Sequence, residues 1–219
     1  MYRDSIHAQG SDRNDALKKV TIYNVVMRLC AVISLITVTT LAYAQTLDLD
    51  KVNHIKAAYI YPMAQLTTWP SDELSELDTL RVVFVGQETG ELAAVLANKT
   101  SSLLVQGHRL EVPHIPGSLL LSDSQADFKD AIENAHTLYV GEEHSRHALR
   151  LCQQNQDRPL LIAGDGKNIP QDDGMVRFYV DEQRVRINVN LQNVELTDLK
   201  MSAEFLQHAT LVSPNKGER

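Results

Sequence analysis

The segment 174–212 constrains the fold of this chain more than any other part of the sequence. Apolar and polar residues alternate through 175–180, and after the polar turn 181–183 the alternation resumes and continues through 184–191. An alternation with a period of two is typical of β-strands that bury one face and expose the other. The sequence therefore predicts a β-hairpin with one buried face.

After the hairpin, the spacing of apolar residues lengthens to that of an α-helix. The stripe consists of Leu196, Leu199, Met201, Phe205, Leu206 and Ala209. A spacing of three to four residues places such side chains on one helical face. The sequence predicts a long helix that lies over the apolar face of the hairpin.

Upstream of the hairpin, short apolar runs alternate with amphipathic segments. Asp48 or Asp50 caps a predicted first helix that runs to Leu66 and is kinked or ended by Pro62. The other predicted strands and helices are strands 80–86, 108–112, 137–140 and 159–163 and helices 88–96, 123–134 and 142–153. Strands that alternate with helices indicate an α/β fold in three layers, with helices on both faces of a mixed, mostly parallel sheet. The C-terminal hairpin plus helix completes this domain.

Residues 1–44 have the pattern of a secretory signal peptide with an extended n-region. Basic residues precede the apolar run 29–41, and Ala42 and Ala44 supply the small side chains that a signal peptidase recognises. The sequence predicts cleavage after Ala44, which leaves an α/β domain over 45–212 and a disordered tail over 213–219. An uncleaved membrane anchor over 20–44 is the alternative, although charged and hydroxyl residues interrupt this stretch.

Charge and cysteine content limit the partners of the exported chain. The whole chain carries a formal charge of −7, and residues 1–44 hold five Lys or Arg and three Asp or Glu, so cleavage changes the charge to −7 − 2 = −9. An acidic protein is not expected to bind nucleic acid or an anionic membrane. Cys152 alone remains after cleavage, so it is either buried in a helix or joins two copies of the chain in a homodimer.

Three segments resemble sites of chemistry, and each has a simpler structural interpretation. The segment 86–90 lacks a dinucleotide-binding fingerprint, and 164–168 lacks a P-loop, so both are interpreted as turns. Glu143, His144 and His147 lie at the start of a helix, but their spacing is not that of a zinc-binding pair, and we expect solvated side chains. With no nucleophile elbow either, the sequence predicts no enzyme activity, no cofactor and no metal.

The polar face of the hairpin is the strongest candidate for a binding surface. Arginine and tyrosine are enriched at protein interfaces, and they could engage an acidic or mixed partner there. The alternative is a solvated face, or one covered through aliphatic stems. Tyr61 and Trp69 belong either to the core or to a partner groove. The predicted binding residues are Arg177, Tyr179, Arg184, Arg186, Asn188, Asn190, Tyr61 and Trp69.

Two blocks of sequence resemble the YfiR-like family of small periplasmic proteins. Residues 55–61 and 67–70 are similar to the opening helix of the family and its Trp-Pro ending. Residues 184–191, followed by 199–202 and 205–209, are similar to the family's final strand and helix. The resemblance spans roughly 52–212.

This resemblance implies a periplasmic regulator without catalytic activity. Such a protein holds an inner-membrane diguanylate cyclase inactive by binding its periplasmic domain, and an outer-membrane lipoprotein relieves the inhibition. Cyclic di-GMP synthesis and biofilm formation then respond to envelope stress. A periplasmic small-ligand binder with a crevice near Gly86, Gly141 and Gly164 is the alternative, and an unrecognised hydrolase ranks last.

Overall fold

A computed structural model describes residues 48–70, 78–121, 125–153, 159–172 and 174–213. The predicted signal peptide over 1–44 lies outside the described residues, as does the predicted tail from 214 onwards. Among the described residues, no helix is both long enough and apolar enough to cross a membrane.

The helices are short apart from the first. In chain order the α-helices are α1 (Leu49–Gln65), α2 (Gly90–Thr100), α3 (Ser118–Leu121), α4 (Gln125–Ile132), α5 (Ser145–Gln153), α6 (Leu191–Glu195) and α7 (Ala203–Leu206). A 3-10 helix, Gln87–Thr89, leads into α2. The predicted helices over 88–96, 123–134 and 142–153 are therefore present with shifted ends.

The strands form one large sheet and a separate two-stranded pair. In chain order they are β1 (Thr67–Thr68), β2 (Thr79–Val85), β3 (Leu104–Val105), β4 (His108–Glu111), β5 (His114–Ile115), β6 (Thr137–Val140), β7 (Leu161–Gly164), β8 (Val176–Asp181), β9 (Arg184–Val189), β10 (Lys200–Met201) and β11 (Thr210–Leu211). The large sheet has the order β11-β9-β8-β7-β6-β2-β4-β3, and β5 also pairs with β2. Strands β4, β2, β6, β7 and β8 are parallel neighbours, whereas β9 and β3 pair antiparallel with β8 and β4.

The first helix begins and ends close to its predicted bounds. The Asp48 carboxylate caps it by accepting a hydrogen bond from the Lys51 N–H at 3.2 Å. Pro62 lies inside the helix and does not end it. Because Ala58, four residues earlier, is exposed, water can satisfy the carbonyl that the proline leaves without a donor.

Both faces of the sheet are covered, which confirms the three-layer α/β architecture. The first core lies on one face, where Phe84, Tyr139 and Phe178 pack against α1, α2 and the C-terminal segment. The other face packs alternate residues of the same central strands, such as Val83 and Leu138, against α4 and α5. Cys152 on α5 belongs to this second core and is 2% exposed, so burial in a helix, the first of its two interpretations, is confirmed.

The predicted hairpin is confirmed, with β8 and β9 paired along their whole length from Val176↔Val189 to Asp181↔Arg184. Two residues, Glu182 and Gln183, make the turn with φ values of 45° and 64°. Positive φ at both central positions characterises the tight turn whose twist matches that of the strands. The hairpin is therefore compact, although neither turn residue is a glycine.

The single long helix predicted over 196–209 is wrong. The chain instead forms α6, β10, α7 and β11, and Leu196 is 76% exposed. Asp198 has φ 59°, and Ser202 is extended and caps α7, so helical geometry is broken twice. Met201 pairs with Thr67 in the small β1–β10 sheet and remains buried. The apolar stripe therefore does reach the core, but from an irregular segment.

The tight β3–β4 hairpin also holds the end of α1, which the sequence did not predict. Gly107 at φ 88° and Gln106 at φ 52° form its turn. The Gln106 side-chain amide donates to the Ala64 carbonyl at 3.0 Å and to the Thr67 carbonyl at 2.6 Å. This amide thereby satisfies the Ala64 carbonyl in the last turn of α1 and ties it to the first residue of β1.

Candidate functional site

The outward surface of the β8–β9 hairpin brings together five of the eight predicted binding residues. Strand register places Tyr179 opposite Arg186 and Arg177 opposite Asn188, with Arg184 next to the turn. We call these five residues the hairpin face. Their neighbours along the strands, such as Phe178 and Ile187, point to the opposite side and are buried in the first core. The hairpin face is therefore backed by packed apolar side chains.

The hairpin face is basic although the whole chain is acidic. Arg184 and Arg186 are exposed, and the other three residues are half-buried. Asp181 is a carboxylate on the same side, and it lies 4.0 Å from the Arg186 guanidinium. The Arg177 guanidinium stacks 4.7 Å from the centre of the Tyr179 ring, which restrains both side chains. Three arginines and one aspartate give the surface a local charge of about +2, which is complementary to an acidic partner.

Asn190 does not belong to this surface, so the prediction that it projects from the polar face is wrong. It is fully buried and caps α6 by accepting a hydrogen bond from the Asn193 N–H at 3.2 Å. Its side-chain amide donates to the Pro170 carbonyl at 2.7 Å. The strand pattern ends at Val189, and the next side chain turns inward as a helix cap.

Tyr61 and Trp69 lie on the other side of the sheet from the hairpin face. Trp69 is 3% exposed and packs edge-on to His136 with ring centroids 6.2 Å apart. Tyr61 is half-buried on α1, and its hydroxyl donates to the Leu104 carbonyl at 3.2 Å. Both contact the first core, as the structural interpretation expected. They form no joint surface with the hairpin arginines.

The carboxyl ends of β2 and β6 form a second polar region that sequence reasoning only partly anticipated. The chain leaves β2 for α2 on one face of the sheet and leaves β6 for α5 on the other. Neighbouring parallel strands whose connections diverge in this way create the crevice in which α/β proteins commonly bind ligands. The predicted small-ligand crevice near Gly86 and Gly141 lies at this point.

An exposed side chain of the protein itself, that of Glu88, reaches into this crevice. The Glu88 carboxylate lies against Gly86 and Gly141, so that a Cβ at either position would overlap it. Gly86 has φ 116°, a conformation that glycine favours. Glu88 also accepts a hydrogen bond from the Glu143 N–H at 3.2 Å. A carboxylate in this position opposes phosphate binding, in agreement with the interpretation of 86–90 as a turn.

A model of the YfiR/HmsC-like family, DUF4154, matches residues 53–210, which is well over half of the 219 residues. The chain belongs to the YfiR/HmsC-like family. The family assignment predicted from the two sequence blocks is thereby confirmed. A search of the curated proteins found no match to this family member.

Two solved structures are similar to part of this YfiR/HmsC-like chain. A conserved domain protein from Vibrio cholerae O1 biovar eltor has 10% identity and a TM-score of 0.48 over 71% of this chain. The ABC domain in complex with L-Trp from Streptococcus pneumoniae has 8% identity and a TM-score of 0.41 over 61% of this chain. The chain spans 59% and 56% of those two chains, which is less than two thirds of each.

The YfiR/HmsC-like domain also contains a charged network that sequence reasoning missed. Lys56, in the family-like block at 55–61, places its ammonium 2.6 Å from the Asp165 carboxylate at the end of β7. The Tyr139 hydroxyl donates to the same carboxylate oxygen at 2.6 Å. Burial raises the pKa of Tyr139 well above its usual value, and the Asp165 charge and hydrogen bond add to that shift. The tyrosine is therefore a neutral hydrogen-bond donor at physiological pH.

The thiol of Cys152 is not activated for chemistry. Burial raises its pKa from 9.0 to about 12. Because the thiolate is the nucleophilic form, a thiol with so high a pKa is unreactive at neutral pH. This cysteine is a core residue of α5.

Proposed function

We propose that this YfiR/HmsC-like protein is a periplasmic regulator that binds and inhibits an inner-membrane diguanylate cyclase. It would control cyclic di-GMP signalling and biofilm formation by binding, without catalysing a reaction. The leader over 1–44 would be cleaved after Ala44 during export. Membership of the YfiR/HmsC-like family supports regulation of cyclic di-GMP signalling.

The single observation that carries the proposed binding surface is the hairpin face. Its exposed arginines form a basic patch in a chain of formal charge −7. The opposite side of the same two strands is apolar and packed into the core. Arginine and tyrosine contribute heavily to binding energy at protein interfaces. An acidic segment in the periplasmic domain of the cyclase is the complementary partner that we propose.

Inhibition by binding requires a difference in affinity between two states of the partner. A protein that binds both states equally well shifts no population, however tightly it binds. We therefore propose that the hairpin face binds the inactive state of the cyclase more tightly. An outer-membrane lipoprotein would relieve inhibition by competing for this regulator.

The alternative of a small-ligand binder has weaker support. The Glu88 carboxylate occupies the space between Gly86 and Gly141 in which a solute would lie. A periplasmic solute would have to displace that carboxylate before entering the crevice. Binding of a partner protein on the hairpin face requires no such displacement.

Charge reversal on the hairpin face tests the proposal. Replacing Arg184 and Arg186 together by glutamate should weaken capture of the membrane cyclase at least about tenfold, because like charges across an interface repel. Arg109→Glu, which changes an exposed arginine on β4, is the matched control and should leave capture unchanged. The measurement is a pull-down of solubilised membrane proteins with each purified variant, followed by a titration against the captured cyclase. Equal capture by the double variant and the wild type would refute this surface, and failure of the wild type to capture any cyclase would refute the function.

A further inference from the structure

The carboxyl edge of the sheet carries a group of metal-ligating side chains that the proposed regulatory surface does not use. Glu88, Glu143 and His144 each offer one ligand atom, and these atoms lie within 4.8 Å of one another. Glu88 follows β2, whereas Glu143 and His144 lie in the connection from β6 to α5. The fold therefore brings together ligands from two segments that are 55 residues apart.

The imidazole of His144 is packed so that its Nδ1 atom, and not Nε2, is available to bind a metal ion. Its side chain is only 11% exposed, and its Nδ1 atom is buried without a hydrogen-bond partner. The opposite edge of the ring, with Nε2, packs against Gly117, where a Cβ would overlap it. Nδ1 lies 3.9 Å from a Glu143 carboxylate oxygen. A buried polar atom without a partner is costly, and a metal ion bound to Nδ1 would satisfy it.

The two carboxylates also lack a compensating positive charge. Among the described residues, no lysine or arginine forms an ion pair with Glu88 or Glu143. The hydrogen bond from the Glu143 N–H orients the Glu88 carboxylate, and the flanking glycines allow it to approach the strand ends closely. Both glutamates are exposed, so solvent screens the repulsion between their carboxylates, and a cation placed between them would be attracted to both.

We propose that Glu88, Glu143 and His144 bind one divalent transition-metal cation, of which Zn²⁺ is the probe. An imidazole nitrogen with two carboxylates is a ligand set that suits zinc and its neighbours, whereas Mg²⁺ and Ca²⁺ favour oxygen ligands alone. Three protein ligands leave a further coordination position for water. The cation would join the starts of α2 and α5, which cover opposite faces of the sheet. This inference does not depend on the proposed function.

Calorimetric titration of the untagged, metal-free protein with zinc chloride tests the site. We expect saturable binding of one Zn²⁺ per chain and a rise in the melting temperature. Removing a group that only hydrogen-bonds to a metal ligand lowers metal affinity about 10- to 100-fold, and removing a ligand should cost at least as much. Glu88→Gln, Glu143→Gln and His144→Gln should therefore each weaken binding at least about tenfold. Glu142→Gln and His147→Gln are matched controls on the same turn and the next, and they should leave the affinity within about twofold of wild type.

Cobalt substitution separates loss of a ligand from loss of the fold. Co²⁺ bound by an imidazole and carboxylates gives visible absorption bands, which should disappear in His144→Gln while its circular dichroism stays that of the wild type. The inference is overturned if the wild type binds no Zn²⁺. It is also overturned if the affinity falls as much in His147→Gln as in His144→Gln, or if Mg²⁺ competes with Zn²⁺ at equal concentration.

Discussion

The ion pair between Lys56 and Asp165 provides the sharpest test of how this fold is held together. Its charged atoms are 2.6 Å apart, and the two side chains are only 12% and 20% exposed. Removing one partner of a buried pair costs about 3–5 kcal/mol, because the remaining charge has lost both water and its counterion. Since a fifth of the Asp165 side chain reaches solvent, we expect Lys56→Met to lower the free energy of unfolding by about 3 kcal/mol, at the lower end of that range.

Asp165→Asn should cost a similar amount, because it leaves the Lys56 ammonium without a counterion. The asparagine amide oxygen can still accept the hydrogen bond from the Tyr139 hydroxyl, so the effect isolates the charge. The double variant removes both charges, and its cost should fall short of the sum of the two single costs by about 2–3 kcal/mol. Asp172→Asn changes an exposed carboxylate on the following loop and should stay within about 0.5 kcal/mol of wild type.

Urea denaturation followed by tryptophan fluorescence measures these differences. Trp69 is the single tryptophan and is buried, so its emission reports loss of the core. With a urea slope of about 2 kcal/mol per molar, a loss of 3 kcal/mol lowers the midpoint by about 1.5 M. The reasoning is refuted if Lys56→Met shifts the midpoint no more than Asp172→Asn does, or if the single costs simply add in the double variant.

Two further predictions follow from buried polar groups. Asn190→Ala should lower the free energy of unfolding by about 2 kcal/mol, because it removes a helix cap and leaves the Pro170 carbonyl without its donor. Asn188→Ala, on the hairpin face, should cost under about 0.5 kcal/mol, and equal costs in urea denaturation would contradict the different placement of the two residues. Burial raises the pKa of Cys152 from 9.0 to about 12, so above pH 9 the unfolded chain loses the thiol proton before the folded chain does. The folded state is therefore destabilised relative to the unfolded state as the pH rises from 9 towards 12. Under reducing conditions, the free energy of unfolding should fall between pH 8 and pH 10, and the fall should be about 1.4 kcal/mol smaller in Cys152→Ala than in the wild type. An equal fall in the two proteins would contradict burial of the thiol.

The parts of the fold that could be predicted are those in which neighbouring residues determine the structure. Alternation with a period of two located both hairpin strands and separated the hairpin face from its buried side. The same reasoning failed over 196–209, because apolar residues spaced three to four apart can also be buried by an irregular chain. Asp198 and Ser202, the residues at which helical geometry is broken, are polar and of types that favour turns and caps. Their weak local signals competed with the stronger pattern of the apolar stripe.

The polar contacts at the carboxyl edge could not be predicted, because they join residues that are far apart in the sequence. Lys56 and Asp165 are separated by 109 positions, and the Glu88–Glu143 contact spans 55. Their proximity depends on the strand order, in which β6 is the neighbour of β2 although β4 precedes it along the chain. The sequence predicts solvated side chains over 143–147, but the His144 side chain is only 11% exposed in the structure. Glu143 and His144 lie beside Glu88, whereas His147 is not part of that group.

Arg177 joins the hairpin face to the network at the carboxyl edge. Its Nε donates to the Asp165 carbonyl at 3.4 Å, while the Asp165 carboxylate binds Lys56 on α1. One loop residue therefore contacts both the first helix and the proposed binding surface. A surface that is already ordered loses less conformational entropy on binding, so more of its contact energy remains for the partner state that it fits. The stacking of Arg177 on Tyr179 and the packed back of the hairpin supply that restraint, which is why we place recognition on the hairpin and not on the neighbouring loops.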